Sequence, residues 1–211
     1  MGSGSKMEIK NISKTNNIFF DTNGYVLVRN IIDPELLRCE LPDIRGQITY
    51  YGSIDNYKHI PVESQVNGSL SRYSYPPYKE SHVILQKKIE EIVGKNLYRT
   101  YYYDRFYFSG QDLKKHTDRD SCEISISINI DTNLKDPWAF ELTTLEGKNK
   151  KIFLNSGDGI IYKGCDVVHW REKMPGSKRD IFRKNKFYYH QVFFHYVLSD
   201  GYRCQYANDF V

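Results

Sequence analysis

No stretch of this sequence stays apolar for the roughly 20 residues that a helix needs to cross a bilayer, so a helical membrane protein is not expected. Cysteine is sparse: Cys39, Cys122, Cys165 and Cys204 stand far apart, and no two form a CxxC pair. That pattern points to neither a zinc module nor a disulfide framework. The four read as free thiols of a reducing, cytoplasmic compartment. Neither sign of charge dominates: 30 Lys and Arg against 26 Asp and Glu leave a formal net charge of +4. Such a balance permits an anionic ligand and leaves nucleic acid open as a partner, but it lacks the clustered basic face that nucleic-acid binding usually shows. There is no internal repeat and no linker, so one domain is expected. The opening MGSGSKM reads as an expression-tag remnant over 1–6. The natural chain then starts at Met7 with no signal peptide, and a single domain fills 7–211.

Aromatic residues are plentiful: 18 Tyr and 11 Phe, with 2 Trp. These residue types favour strands and half-wet pocket walls. Residues 8–18 are polar and carry little pattern. Asn23-Gly24 makes a turn into the β-rich run 25–28. Asp33-Pro34-Glu35 has the chemistry of a helix start, with Asp as N-cap and Pro in the first turn, and Pro42 and Gly46 cut that helix short. Residues 46–80, rich in Tyr, Ser, Gly and Pro, read as a long loop with short strands and as a candidate substrate wall. From Ser81 to Val93 the apolar residues share one helix face, which ends at Gly94. From Leu97 the period changes to two, with strands expected over 97–108, 122–131, 138–145, 150–154, 158–163, 166–171 and 187–198. This predicts a mainly β domain, sandwich or barrel, with supporting helices outside it. A basic loop, 173–186, joins the last two main strands.

Two segments carry chemistry. His116-Thr117-Asp118 opens a strand after the turn Ser109-Gly110-Gln111, and His169 closes a later strand that follows Gly157-Asp158-Gly159. Residues i and i+2 of an extended segment point the same way, so His116 and Asp118 can face one ion, and His169 joins them if its strand returns beside the first. Two imidazoles and one carboxylate form a 2-His-1-carboxylate facial triad, the donor set of non-haem Fe(II) sites with open positions. His-x-Asp alone is a weak signal in a chain with 6 His and 26 acidic residues; the strand and turn context strengthens it. On the next strand Ser125 and Ser127 share one face, and Ile124, Ile126 and Ile128 the other. The apolar face belongs in a core. The hydroxyls then look into a barrel mouth, where they can bond a carboxylate. His190 and His195 read as hydrogen-bonded core histidines.

The span from Tyr101 to about Tyr196 resembles the Fe(II)/2-oxoglutarate-dependent oxygenases, and among them the prolyl-4-hydroxylase-like branch. The residues that carry the resemblance are Tyr107, Gly110, Leu113, His116-Thr117-Asp118, the strands SISIN and GDGIIY, and His169. The run NGYVLVRNIIDPELL resembles the opening strand and helix of the same family. The resemblance implies a double-stranded β-helix, or jelly roll, with its core at about 97–198. It implies Fe(II) held by His116, Asp118 and His169, with 2-oxoglutarate and dioxygen as cosubstrates. It also implies hydroxylation of a substrate C–H bond with release of succinate and CO2. Relatives that halogenate carry a small residue in place of the carboxylate, so Asp118 favours hydroxylation.

The family usually places an Arg or Lys at the start of its final core strand, where it pairs with the far carboxylate of 2-oxoglutarate. Here the run from Tyr188 to His195 has none. Strand parity nominates Arg105 first, because it shares a face with Tyr107, then Lys163 at the end of GDGIIYK, then Arg171, two residues past His169. Tyr107, Ser125 and Ser127 complete the candidate cosubstrate site. The substrate implied is a peptide or protein side chain, prolyl by analogy, or a small molecule. Two rivals remain: a cupin-like metal enzyme or binding protein that does not use 2-oxoglutarate, and a non-enzymatic jelly-roll binding module.

Overall fold

The structure is a computed structural model that describes residues 15–39, 49–51, 58–60, 65–176 and 187–209. In chain order it runs through a helix over 15–23 (α1), β1 (Tyr25–Val28), β2 (Thr49–Tyr51), β3 (Lys58–Ile60), β4 (Leu70–Tyr73), α2 (Lys79–Val93) and β5 (Leu97–Phe108). It continues through β6 (Leu113–His116), β7 (Ile124–Thr132), β8 (Phe140–Thr143), β9 (Asn149–Ile152), β10 (Gly159–Lys163), β11 (His169–Arg171) and β12 (Tyr188–Leu198). The strands form an eight-stranded sheet, β1-β10-β7-β12-β5-β4-β2-β3, and a four-stranded sheet, β6-β11-β8-β9. The two face each other: the rings of Phe140 on β8 and Tyr162 on β10 lie 5.4 Å apart between them. This is the jelly-roll arrangement.

On β7 and β12 the larger sheet departs from the usual sandwich, in which apolar side chains fill the space between sheets. The outward face there is largely apolar. Ile124, Ile126, Ile128 and Ile130 of β7 and Val192 and Phe194 of β12 pack against Leu85, Ile89 and Val93 of α2 and Phe20 of α1. Its inward face carries Ser125, Ser127 and Asn129, paired across the ladder with His195, Phe193 and Gln191 of β12. The helices supply apolar cover on the outside, so β7 and β12 can turn polar side chains inward, while Phe140, Leu142, Ile160 and Tyr162 form an apolar cluster in another part of the space between the sheets.

α2 stops where expected. Gly94 takes the left-handed conformation (φ 68°), and its N–H donates to Glu90 O at 2.8 Å. A Cβ there would also lie 2.4 Å from Asn17 Nδ2 of α1, so this glycine lets the two helices meet. The helix expected after Asp33 is only a 3-10 turn, Pro34–Leu36, although Asp33 Oδ1 does accept the Glu35 N–H at 3.0 Å. α1 falls across a segment read as patternless. β4 is one of the short strands expected within 46–80, whereas β6 was missed: it is 4 residues long, and its Leu-Lys-Lys-His run shows no period. Asp158 of the Gly-Asp-Gly turn is a structural clasp. It accepts from the N–H groups of Asn30 (3.0 Å) and Asn155 (2.8 Å) and from Arg29 (2.6 Å). Much of the expected 46–80 loop, and residues 177–186 of the basic loop, lie outside the described residues. No helix among the described residues is long and apolar enough to cross a membrane.

Candidate metal centre

His116 ends β6 and His169 begins β11, and the two are direct partners across that antiparallel ladder. Asp118 lies two residues beyond β6, where its N–H donates to Gly164 O at 2.8 Å. One carboxylate oxygen, Oδ1, sits 3.6 Å from His116 Nε2 and 3.4 Å from His169 Nε2. Donors about 2.1 Å from one ion at right angles would be spaced roughly 3 Å apart, close to what is seen. His116 Nδ1 donates to Lys114 O (2.8 Å) and His169 Nδ1 to Val167 O (2.9 Å). Both rings therefore leave Nε2 as the bare nitrogen facing Asp118, the tautomer a metal requires. Burial works against charge on Asp118, but His169 and His116 outweigh it and hold the carboxyl well below its ordinary range. Burial likewise opposes a proton on His116, yet Asp118 and Lys114 O raise its value. The pocket between the three groups favours positive charge. It opens on one side: the His116 side chain is 24% exposed and that of His169 2%.

The cosubstrate candidates divide. Ser125 Oγ lies 3.1 Å from Asp118 Oδ2. Tyr107 is fully buried, with its OH accepting from Arg105 at 3.1 Å. Arg105 does point inward, but it is well supplied with partners: Tyr107 OH, Ser71 Oγ at 3.3 Å and Gln65 Oε1 at 2.9 Å. Lys163 is a correction. Tyr162, beside it, faces inward with its ring 4.7 Å from that of His169, so Lys163 faces the opposite way, 3.6 Å from Asp21 and over the ring of Phe20. Arg171, ranked last on sequence, fits best. It is 1% exposed and lies against the rings of Trp138 (4.5 Å), Tyr189 (4.6 Å) and Phe140 (5.6 Å). Its Nη1 donates to Trp138 O at 3.0 Å, while Nε and Nη2 have no partner among the described residues.

Ser127 Oγ and both amide atoms of Gln191 are likewise buried without partners among the described residues. Unpaired buried polar groups cost on the order of 1–3 kcal/mol each, and several together on one inner face are the signature of a polar ligand site. The donor set fits Fe(II), and these groups fit a dicarboxylate behind it. Two further residues carried no sequence signal. Gln65 sits 3.0 Å from His116 Nε2, and Gly164 packs against Asp118 Oδ2. His195, read as a core histidine, faces inward onto Ser125, with burial pushing its value down to about 4.

A second set of metal-type donors, Cys39, Asp104 and His190, lies on the outer face of the large sheet. It already encloses a cation: Arg72 contacts both Cys39 Sγ and Asp104 Oδ2, and Tyr78 OH and His190 Nε2 complete the carboxylate's shell at 2.9 Å each. His190 is thus a hydrogen-bonded core histidine.

No family model matches the chain, and no curated protein does. Solved structures do. A prolyl-4-hydroxylase of Pseudomonas putida aligns over 89% of this chain and 98% of its own, with TM-score 0.55 and 11% identity. A prolyl hydroxylase of Trichoplax adhaerens, in complex with a hypoxia inducible factor peptide fragment, covers 92% and 94% at TM-score 0.59 and 12% identity. HygX of Streptomyces hygroscopicus, with nickel, 2-oxoglutarate and hygromycin B bound, covers 86% of each chain at TM-score 0.59 and 11% identity. The fold is therefore that of the 2-oxoglutarate and Fe(II) oxygenases, the double-stranded β-helix, across nearly the whole chain.

Proposed function

We propose that this protein is an Fe(II)- and 2-oxoglutarate-dependent dioxygenase that hydroxylates a C–H bond of its substrate, with release of succinate and CO2. The observation that carries the reading is the pairing of two sites. Three donors converge with both imidazoles in the metal-binding tautomer, and a buried guanidinium with unpaired N–H groups stands two residues along the same strand. His116, Asp118 and His169 would hold the iron, which supplies dioxygen activation when bound. Arg171 receives the far carboxylate of 2-oxoglutarate, since guanidinium is the side chain best matched to a planar carboxylate. Ser127 and Gln191 add hydrogen bonds from the facing sheet. Trp138, Phe140 and Tyr189 line the guanidinium and exclude water, which strengthens that pairing. Arg105, with Tyr107 and Gln65, stands nearer His116 and contributes positive potential to the mouth. The Trichoplax neighbour holds a peptide and HygX holds hygromycin B, so this fold accepts both; a peptidyl proline is the substrate to test first.

The test is anaerobic addition of Fe(II) and then 2-oxoglutarate, followed by the weak visible charge-transfer band of the chelate. The band is expected in the wild type and absent in His169→Ala. Arg171→Gln should raise the 2-oxoglutarate needed for half-saturation at least about tenfold, in line with loss of a buried charge-assisted pair, and Lys163→Ala should leave it unchanged. Iron binding without a band would overturn the cosubstrate assignment.

A further inference from the structure

Asp118 uses its two oxygens differently. Oδ1 faces both imidazole Nε2 atoms, and Oδ2 faces Ser125 Oγ at 3.1 Å. Behind Ser125 stands His195, its direct partner across the β7–β12 ladder, with Nδ1 2.8 Å from the same Oγ. The direction of each hydrogen bond follows from counting protons. A serine hydroxyl has one. It gives that proton to the Asp118 carboxylate, which like Cys122 O at 3.2 Å can only accept, while Tyr162, its partner across the β7–β10 ladder, can itself donate to the serine oxygen. His195 must therefore donate from Nδ1–H into the Ser125 oxygen, which leaves its own Nε2 as a bare nitrogen, buried and without a partner among the described residues. The ring lies against Tyr101, tilted at 4.6 Å, and stacks on Tyr103 at 5.7 Å, and the backbone of His195 is held by His82 Nε2 at 3.1 Å from its carbonyl. The chain His195–Ser125–Asp118 is thus directional and rigid at its far end.

We infer that His195 is a positioning residue for the metal centre: acting through Ser125, it fixes the Asp118 carboxylate so that one oxygen is presented to the ion. The inference rests on the triad being a metal site. Hydrogen-bond partners behind metal ligands are typically worth about 10- to 100-fold in metal affinity, and none of the sequence signals for the triad points to this one.

The measurement is anaerobic equilibrium dialysis of the full chain against Fe(II), with thermal unfolding as a control on the fold. Ser125→Ala and His195→Phe should each weaken binding about tenfold. Phe keeps the ring stack and removes only the N–H. His195→Asn places an amide N–H near the position of Nδ1 and should bind within about threefold of wild type. The double variant Ser125→Ala/His195→Phe should be no weaker than Ser125→Ala alone, because two links of one chain do not add. A merely structural His195 would give neither the Asn rescue nor the non-additivity. Should His195→Phe fail to fold, His195→Gln, whose amide sits at the Nε2 end, is expected to bind as weakly as Ser125→Ala. Wild-type affinity in His195→Phe, or in His195→Gln, overturns the inference. Binding that survives in His169→Ala overturns the metal reading beneath it.

Discussion

At the scale of single residues, Gly164 shows how tightly the carboxylate is seated. A Cβ at this position would lie 2.2 Å from Cys122 O, 2.6 Å from Asp118 Oδ2 and 2.9 Å from Ser125 Oγ. The first of these is backbone and cannot swing aside. Gly164→Ala should therefore push Asp118 off its seat, costing about 1–3 kcal/mol in stability as overpacking usually does and at least about tenfold in Fe(II) affinity. Urea unfolding and metal dialysis on the same preparation check both. Asp118→Ala, which adds no bulk, should abolish turnover while far-UV circular dichroism stays unchanged; measurable turnover would remove Asp118 from the ligand set. The proposed ligands were legible in the sequence through the i, i+2 spacing of His116 and Asp118, although the strand context was reversed: His116 ends β6 rather than opening a strand, and His169 begins β11 rather than closing one. The clamp was not. Strand parity brings both Arg105 and Arg171 inward, and only tertiary neighbours show that Gln65, Ser71 and Tyr107 occupy the first while the second keeps unpaired N–H groups. For Lys163 the parity was assigned from the wrong side, since Tyr162 is the residue of that pair that faces the site.

At the scale of elements, β7 is the strand on which fold and function divide by parity. Ile126 is fully buried in the core beneath α2, and Ser127 is fully buried on the inner face without a partner among the described residues. Ile126→Ala should cost about 2–4 kcal/mol, the usual range for a truncated core side chain. Its effect on 2-oxoglutarate affinity should be small. Ser127→Ala should do the reverse, leaving stability within about 1 kcal/mol, because it removes an unsatisfied hydroxyl, while weakening 2-oxoglutarate severalfold. Equal effects of the two substitutions on stability would contradict the assignment of faces. The alternation Ser-Ile-Ser-Ile was readable in advance because β7 spans 9 residues and period-two patterns need about that length to show. α1 and β6 lacked such a signal. α1 mixes Asn, Thr, Phe and Asp over 15–23, residues of middling helix propensity, and is held by packing of Phe20 into the core beside α2. β6 contains Leu113-Lys114-Lys115-His116, and its pairing with β11 makes it a strand.

At the scale of the whole molecule, the large sheet is supported by a helix whose polar residues are built for neutral pH. His82 of α2 is 2% exposed, boxed by the rings of Tyr102 (5.2 Å), Phe194 (5.3 Å) and Tyr196 (4.8 Å). Its Nε2 donates to His195 O at 3.1 Å, which ties α2 to the strand that carries the proposed brace. Burial pushes its value down from 6.5 to about 3. The folded value lies below that of the unfolded chain, so between pH 6.5 and about 3 the unfolded chain takes up a proton that the folded one refuses. Stability therefore falls as pH falls through that window. From pH 6.5 to pH 5 a single such group accounts for on the order of 2 kcal/mol at about 1.4 kcal/mol per pH unit. His82→Gln keeps an N–H donor and cannot titrate. Chemical denaturation at pH 7 and pH 5 should show the wild type losing more stability than His82→Gln by about that amount. An unchanged pH dependence in the variant would mean that His82 is charged in the fold, contrary to its apolar box. A further consequence links the scales: because α2 reaches the His195 carbonyl through His82, mild acid should loosen the strand behind the metal site before it unfolds the sheet. Protection factors of the β12 amides, which correct for the slower intrinsic exchange at pH 5, should fall from pH 7 to pH 5 in the wild type and stay level in His82→Gln.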